Sequence, residues 1–434
     1  MARNVTWRDL WWIAGLVLVL VLVGVVVLVH RRAGETLQRH RETYQAEQAA
    51  LDLVQRGRAA ILLPALEGSA EATADRYRAA VEAIPPEERD LLSLEVSEDG
   101  DAQEQDRILA AHPEPLAVLA EILRVPSRPQ LPRLEDPADA ASATFNERAT
   151  ATAWASAAQR RAIARGDVPT ALRLAGQLVA FGMDGERVGT AMTTLIGARV
   201  AGKALGPVRA ILRDRPVSPA DARELARVLD ALDAVRPRSE DLVQVERTRM
   251  RGVWSSRVLD AEIGPRNLGW RHLWSLKVYR AAGLDEGDRV VAEIEAAVRL
   301  GDTDARRGES DLDAVISRIE NHIPRLHFVV WESILRRRAA FAAEWRVTRT
   351  ALALALHVAE KGETPASLEA LVPAYLPSVP MDPWDGGPLR YDAGPPARVW
   401  SVGRDGRDDG GVPPAKAADD AEAPDLAITL AAPR

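Results

Sequence analysis

Leu10 to Val29 is a run of twenty residues without a charge, and fifteen of them are Leu, Val or Ile. A helix of that length covers about 30 Å, the thickness of a bilayer core. At a few tenths of a kcal/mol per residue, insertion is favourable by roughly 5 kcal/mol. Trp7, Trp11 and Trp12 stand at one end, where indole rings favour the membrane interface, and His30, Arg31 and Arg32 close the other. The run exceeds the apolar core of a signal peptide, and no small-x-small cleavage site follows Val29. It has no polar face, as a helix buried in a soluble core would be expected to have. The expectation is a retained helix that meets the lipid bilayer through Leu10–Val29. Arg3 and Arg8 flank one side and Arg31, Arg32, Arg39 and Arg41 the other, so the count of basic residues leans toward a cytoplasmic body.

Beyond the run the apolar positions take helical spacing. Glu35 to Ile84 sets Leu51, Leu53, Val54, Ile61 and Leu62 among charged residues, which predicts a helical stalk, kinked at Pro64 and stopped at Pro85 and Pro86. Val96–Asp106 is polar and predicts a loop. Pro126, Pro129, Pro132 and Pro137 mark 126–146 as a connection. Glu147–Ala234 predicts repeated amphipathic helices, with a break at Gly166 and Asp167 and Pro169 early in the next helix. No clean period of about 34 residues supports a solenoid. Ser218 and Pro219 open a helix with Leu225, Val228, Leu229 and Leu232 on one face. Further helices are expected at 267–282, 287–300 and 311–321, then a long one over His327–Lys361.

Gly362 ends that helix as a C-terminal glycine does. Thr364–Val372 predicts a short helix capped by Thr364, with Pro365 at its first position. Leu389–Tyr391 and Arg398–Ser401 flank a Gly-Pro-Pro turn and predict a hairpin, to which Leu426–Leu430 could add a strand. The fold expected is mainly α. It has one N-terminal transmembrane helix, a multi-helix soluble body, and a small α+β C-terminal module with a long helix and a short antiparallel sheet. Its divisions are an anchor (1–31), a stalk and first helical part (32–125), the Pro-rich connection (126–146), a helical body (147–326) and the module (327–434).

Composition narrows function more than fold. With 47% hydrophobic, 27% charged and only 5% aromatic residues, the chain favours folded helix over strand. The net charge of −7 and the scattered basic residues give no nucleic-acid footprint. The absence of cysteine removes disulfides, thiolate metal sites and a Cys nucleophile. There is no Gly-x-Ser-x-Gly, Walker or Gly-x-Gly-x-x-Gly motif. His322 and His327 are five apart around Pro324, the wrong spacing for a helical metal pair. His272, between Trp270 and Trp274, reads as core packing. Asp302, Asp304, Asp311 and Asp313 around Gly308 sit with Arg306 and Arg307 and read as a solvated loop. A structural or partner-binding role is therefore expected, with an envelope hydrolase whose site lies in the helical body as the alternative.

One resemblance sharpens this. From Gly362 runs Gly-x-x-Pro-x-x-Leu-x-x-Leu, and from Pro380 runs Pro-x-Asp-Pro-Trp-x-Gly-x-Pro-x-x-Tyr. From Ser401 follows Ser-x-Gly-x-Asp-Gly, then the pair Gly410-Gly411. In this order after a long helix, Arg346 to Leu430 resembles the C-terminal half of the major pseudopilin of type II secretion systems. The resemblance implies a protein of the inner (cytoplasmic) membrane with its body in the periplasm, protein partners, and a link to secretion or pilus-like assembly. It also implies a Ca²⁺ site at Asp405 and Asp425, with Asp408 and Asp409 as further local ligands and Asp419 and Asp420 as substitutes for Asp425. Ca²⁺ takes six to eight oxygens from carboxylates and carbonyls, and Gly403, Gly406, Gly410 and Gly411 suit a backbone that turns carbonyls inward. The chain departs from the family at its front. Asp9 precedes the apolar run, and 32–326 intervenes between anchor and module, whereas a pseudopilin helix runs directly from one into the other.

Overall fold

Trp7–Ala59 forms one unbroken helix, α1, of 53 residues, about 80 Å of axis. In this computed structural model the described residues are 7–59, 79, 82–91, 102–114, 117, 143–188, 191–234, 236–256, 270–411 and 425–431. Pro64, Pro126–Pro137, Asp419 and Asp420 lie outside them. Val17 to Val29 is exposed along its length, for the most part to about half of each side chain. The helix is long and apolar enough to cross a membrane.

The segment expected as a free stalk is a packed element. Ala33, Leu37, His40 and Tyr44 are buried, at alternating spacings of four and three. That spacing keeps them on one seam of the helix. The seam faces α8, Ser239–Ser255, and α9, Trp270–Gly301.

The helices between them follow the sequence closely in places. The helix that includes Glu82 ends ahead of Pro85, as expected, and Pro86 then opens α2, Pro86–Leu91, at its first position. α3, Ala102–Ala111, takes in 102–106 of the expected loop, and 96–101 lie outside the described residues. Glu104 stands in its first turn, where a carboxylate is favourable, and Ile108 and Leu109 turn into a small core with Ile84 and Trp154. α4 is Ala143–Ala164 and takes in the end of the expected connection. Gly166, at φ 74°, breaks it from α5, Val168–Val188, and α6 follows as Ala191–Asp214. α7, Pro219–Asp233, is capped by Ser218, whose hydroxyl accepts from the Asp221 N–H at 3.1 Å. It buries Ala222, Leu225, Leu229 and Leu232.

The breaks expected near 283–286 and around Gly308 do not occur. α9 is continuous through Gly283 and Gly287, and α10 is Ala305–Ser317. These glycines mark close packing. A Cβ on Gly287 would lie 2.4 Å from the Met250 methyl, and one on Gly308 would lie 2.4 Å from the Gly301 Cα. The acidic group is dispersed accordingly. Asp304 caps α10 by accepting from the Arg307 N–H at 3.1 Å, Asp302 accepts from Ser239, and Asp311 and Asp313 are on an exposed helix face. Gly308→Ala is expected to destabilise the body by about 2–3 kcal/mol in a denaturant titration, because backbone cannot step aside as a side chain can.

α11, His322–Phe328, carries Pro324 in its first turn, where proline is tolerated. α12, Trp331–Lys361, then joins the two main cores. Trp331, Ile334 and Leu335 pack with Leu37, Met250, Leu284 and Leu312. Phe341 through Leu356 pack with α6, α7 and the sheet, in a core that α5 also enters. Gly362, at φ 77°, caps α12 in the left-handed region. The expected Thr364–Val372 helix is one 3₁₀ turn, Leu368–Leu371, and the Thr364 hydroxyl donates to the Ala393 carbonyl in the hairpin turn.

β1 (Arg390–Asp392), β2 (Arg398–Ser401) and β3 (Leu426–Thr429) form an antiparallel sheet in that order. Tyr391 pairs Val399, and Val399 pairs Ile428. Val399 and Ile428 are buried in the core that α12 crosses. The chain is thus mainly helical, with a small three-stranded antiparallel sheet near its C-terminus.

Candidate functional site

The densest polar structure in the C-terminal module centres on Asp382, which is fully buried. Its Oδ1 accepts from the Trp384 N–H at 3.1 Å and the Ser401 hydroxyl at 2.9 Å. Its Oδ2 accepts from the Val402 N–H at 2.8 Å. Arg390 approaches the same oxygen at 3.4 Å and pairs more closely with Asp385. One carboxylate thereby ties the Asp-Pro-Trp turn to the end of β2. Burial pushes Asp382 above the usual carboxylate range, against the pull of those hydrogen bonds.

The acidic loop after Ser401 is built from the four glycines at positive φ, Gly403, Gly406, Gly410 and Gly411. Asp405 turns back to accept the Arg407 N–H at 3.0 Å. Asp408 accepts the Trp400 indole N–H at 2.9 Å and the Gly410 N–H at 3.1 Å, and Asp409 is exposed. Asp425, 5% exposed, accepts the Gly411 N–H through Oδ2 at 2.7 Å, while its Oδ1 is buried with no hydrogen-bond partner. Burial raises the Asp425 carboxyl, and the charges of Asp408 and Asp409 raise it further. These three acids therefore share one neighbourhood. Asp405 accepts within its own turn through Oδ1. Among the described residues no three His, Cys, Asp or Glu side chains are disposed to hold a metal ion.

The sign of the Asp425 shift gives a measurable slope. Its folded value lies above the free aspartate value of about 3.9, so between the two the folded state binds more protons. Stability conferred by that proton is complete below the free value and is lost as pH rises through the folded value. Other carboxylates contribute slopes of their own. The difference in melting temperature between the Asp425→Asn variant and the parent, without calcium, is therefore expected to move in favour of the variant as pH rises across that window.

A second charged cluster lies where α1 docks on α8 and α9. Glu47 receives Arg247 at 3.1 Å, the Thr248 hydroxyl at 3.0 Å and Arg251. Arg251 also reaches Asp288 at 2.5 Å. His40, 3% exposed at its side chain, faces Asp285 at 3.1 Å and Asp288 at 3.7 Å, and Arg39 joins Asp285 at 2.7 Å. Family models, curated proteins and solved structures offer no match to this chain. Its chemistry is consequently read from geometry alone.

A carboxylate–imidazole pair, the starting arrangement of many hydrolases, occurs at Glu246 and His327. The His327 Nδ1 stands 2.6 Å from Glu246 Oε1, and the Trp254 indole N–H donates to Nε2 at 2.9 Å. An indole nitrogen can only donate, so Nε2 is the acceptor and Nδ1 carries the proton toward Glu246. The nitrogen that a general base would use is capped by Trp254. The trio braces α11 against α8. His322 takes no part in it, and its backbone N–H donates to the Tyr279 hydroxyl at 2.8 Å.

Proposed function

We propose that this chain is a single-pass protein of the inner membrane whose helical body stands in the periplasm as a structural or partner-binding element. Its C-terminal module links it to type II secretion or a pilus-like assembly. The observation that supports this most is the continuity of α1, exposed and apolar over Val17–Val29 and buried on one seam from Ala33 to Tyr44 without a break. Such a helix transmits position from bilayer to body with no flexible joint. The surface of the body, braced by buried ion pairs, is then held at fixed height and orientation for a partner. The pseudopilin-like order of motifs supports the periplasmic side and the choice of partner, a pseudopilin or its assembly machinery.

The reading is tested in intact cells and spheroplasts. The full chain is expected to stay with membranes through alkaline carbonate, to be digested by external protease only in spheroplasts, and to crosslink to a pseudopilin from a photoreactive residue at Met381. Release by carbonate would end the membrane reading. A body protected in spheroplasts would reverse its orientation. Crosslinks without a pseudopilin would remove the secretion link.

The calcium expectation belongs to the same proposal. The buried, unpartnered Oδ1 of Asp425 fits a cation, with Asp408 and Asp409 as neighbouring carboxylates and loop carbonyls as further oxygens. Ca²⁺ would there neutralise the enclosed Asp425 carboxylate, beside which Asp408 and Asp409 place like charge. At 100 times its dissociation constant it should stabilise the full chain by about 2.7 kcal/mol. Identical melting in calcium and in chelator would leave the loop as a solvated cap on the sheet.

A further inference from the structure

A second part of the body stands at the level where α1 leaves its apolar run. Contacts between α1 and α9 ascend together. A Cβ on Gly34 would lie 3.0 Å from the Lys277 Nζ, and Arg39 and His40 reach Asp285 at 2.7 and 3.1 Å. The two helices therefore run side by side in the same direction. Gly34 is five residues past Val29, which at 1.5 Å per residue is about 7–8 Å beyond the apolar run. α9 begins at Trp270, seven residues before Lys277, or about 10 Å back toward the run. Trp270–Lys277 thus occupies the same slab as 27–34, spanning the hydrocarbon edge and the headgroup layer.

The residues of that slab suit it. On α1 they include His30 and the exposed Arg31 and Arg32. On α9 they are Trp-Arg-His-Leu-Trp-Ser-Leu-Lys, and no acidic residue occurs in 270–284. Indole rings concentrate at the membrane–water interface. Lys and Arg within a Debye length of anionic lipid are attracted to it. We infer that the first two turns of α9 lie in the headgroup layer of the bilayer that α1 spans. They form a second, non-spanning membrane contact that recognises anionic phospholipid and sets the tilt of the body. This inference rests on the proposal that α1 crosses the membrane.

The chain has no cysteine, so a single introduced thiol can carry a nitroxide without competition. The full chain in nanodiscs of mixed phosphatidylcholine and phosphatidylglycerol is labelled in turn at Val23→Cys, Ser275→Cys and Glu293→Cys. Accessibility to oxygen and to a water-soluble nickel chelate is then compared. The expected order of nickel accessibility is Val23 lowest, Ser275 several-fold below Glu293, and Glu293 as in water. A Ser275 label as open to nickel as Glu293, with Val23 still in hydrocarbon, would overturn this inference and leave the spanning helix standing. A Val23 label in water would overturn both. Trp270→Ala with Trp274→Ala should move the Ser275 label toward water, and more so in phosphatidylcholine alone. An unchanged depth would refute the indole and headgroup contact.

Discussion

Replacing Asp382 by alanine is expected to cost the C-terminal module at least ~3 kcal/mol and to open it to protease while the remaining helices persist. The carboxylate is fully buried and is the acceptor for two backbone N–H groups and one hydroxyl. Each buried donor left without an acceptor costs about 1–3 kcal/mol. Asp382→Asn should fall between the parent and the alanine variant, since one amide oxygen can still accept but the amide nitrogen must then face an N–H or Arg390. Limited proteolysis followed by mass mapping checks the outcome. Cleavage concentrated in 362–411 is the expected pattern, and parent-like resistance would contradict the role given to Asp382.

Glu47→Ala carries the second large effect. Arg251 is 7% exposed at its side chain and divides its charge between Glu47 and Asp288. Removing one partner of a buried pair costs about 3–5 kcal/mol. Glu47 keeps 22% exposure, so water screens part of that and about 2–3 kcal/mol is the better expectation. The loss should be local. Hydrogen exchange of α1 from Ala33 to Glu47 should quicken, with α5 and α7 unchanged, because neither gives a residue to the core of this junction, whereas Leu195 of α6 packs against it. Glu47→Gln should recover part of the effect through its remaining oxygen. Uniform quickening across all helices would mean that the junction is part of a single cooperative core.

What the sequence made legible follows from the range of the interaction. Leu10–Val29 is a local signal of composition and length, and the helix over it is present. Ser218 with Pro219 and Gly362 work within one turn, and both helix boundaries are where those residues put them. The hairpin is readable because the Gly-Pro-Pro turn and the flanking apolar residues lie within a dozen positions. Three misreadings share a cause. Gly283 and Gly308 look like breaks when only the adjoining residues are considered, yet Gly283 is small because Asn321 and Ile323 need the space and Gly308 because the α9 backbone at Gly301 does. The polar 102–106 looks like a loop until Ile108 and Leu109 supply the buried face of the same helix. The docking seam of α1 was hidden by its chemistry. His40 and Tyr44 share the heptad positions of Ala33 and Leu37, but a pattern counted in aliphatic residues passes over them.

The polar constellations were the least legible. Asp382 finds its partners 19 and 20 residues away, Glu246 meets His327 across 81, and Glu47 meets Arg251 across 204. Nothing in local spacing announces such pairs. The acidic loop was visible as a cluster of Asp and Gly, but which carboxylate would be buried was not. Asp425 is the one enclosed, through the return of β3 alongside β2, a contact that only the sheet register defines.

The central claim is that α1 joins bilayer and body as a single rigid element. It is tested most directly by the distance between nitroxides at Leu28→Cys and Glu293→Cys in the otherwise cysteine-free chain, measured by pulsed dipolar spectroscopy in nanodiscs. A single narrow distance distribution, unchanged between nanodiscs and detergent, is the result expected of a continuous helix docked along α9. A broad distribution that shifts with the lipid environment would place a hinge between Val29 and Tyr44 and contradict the account.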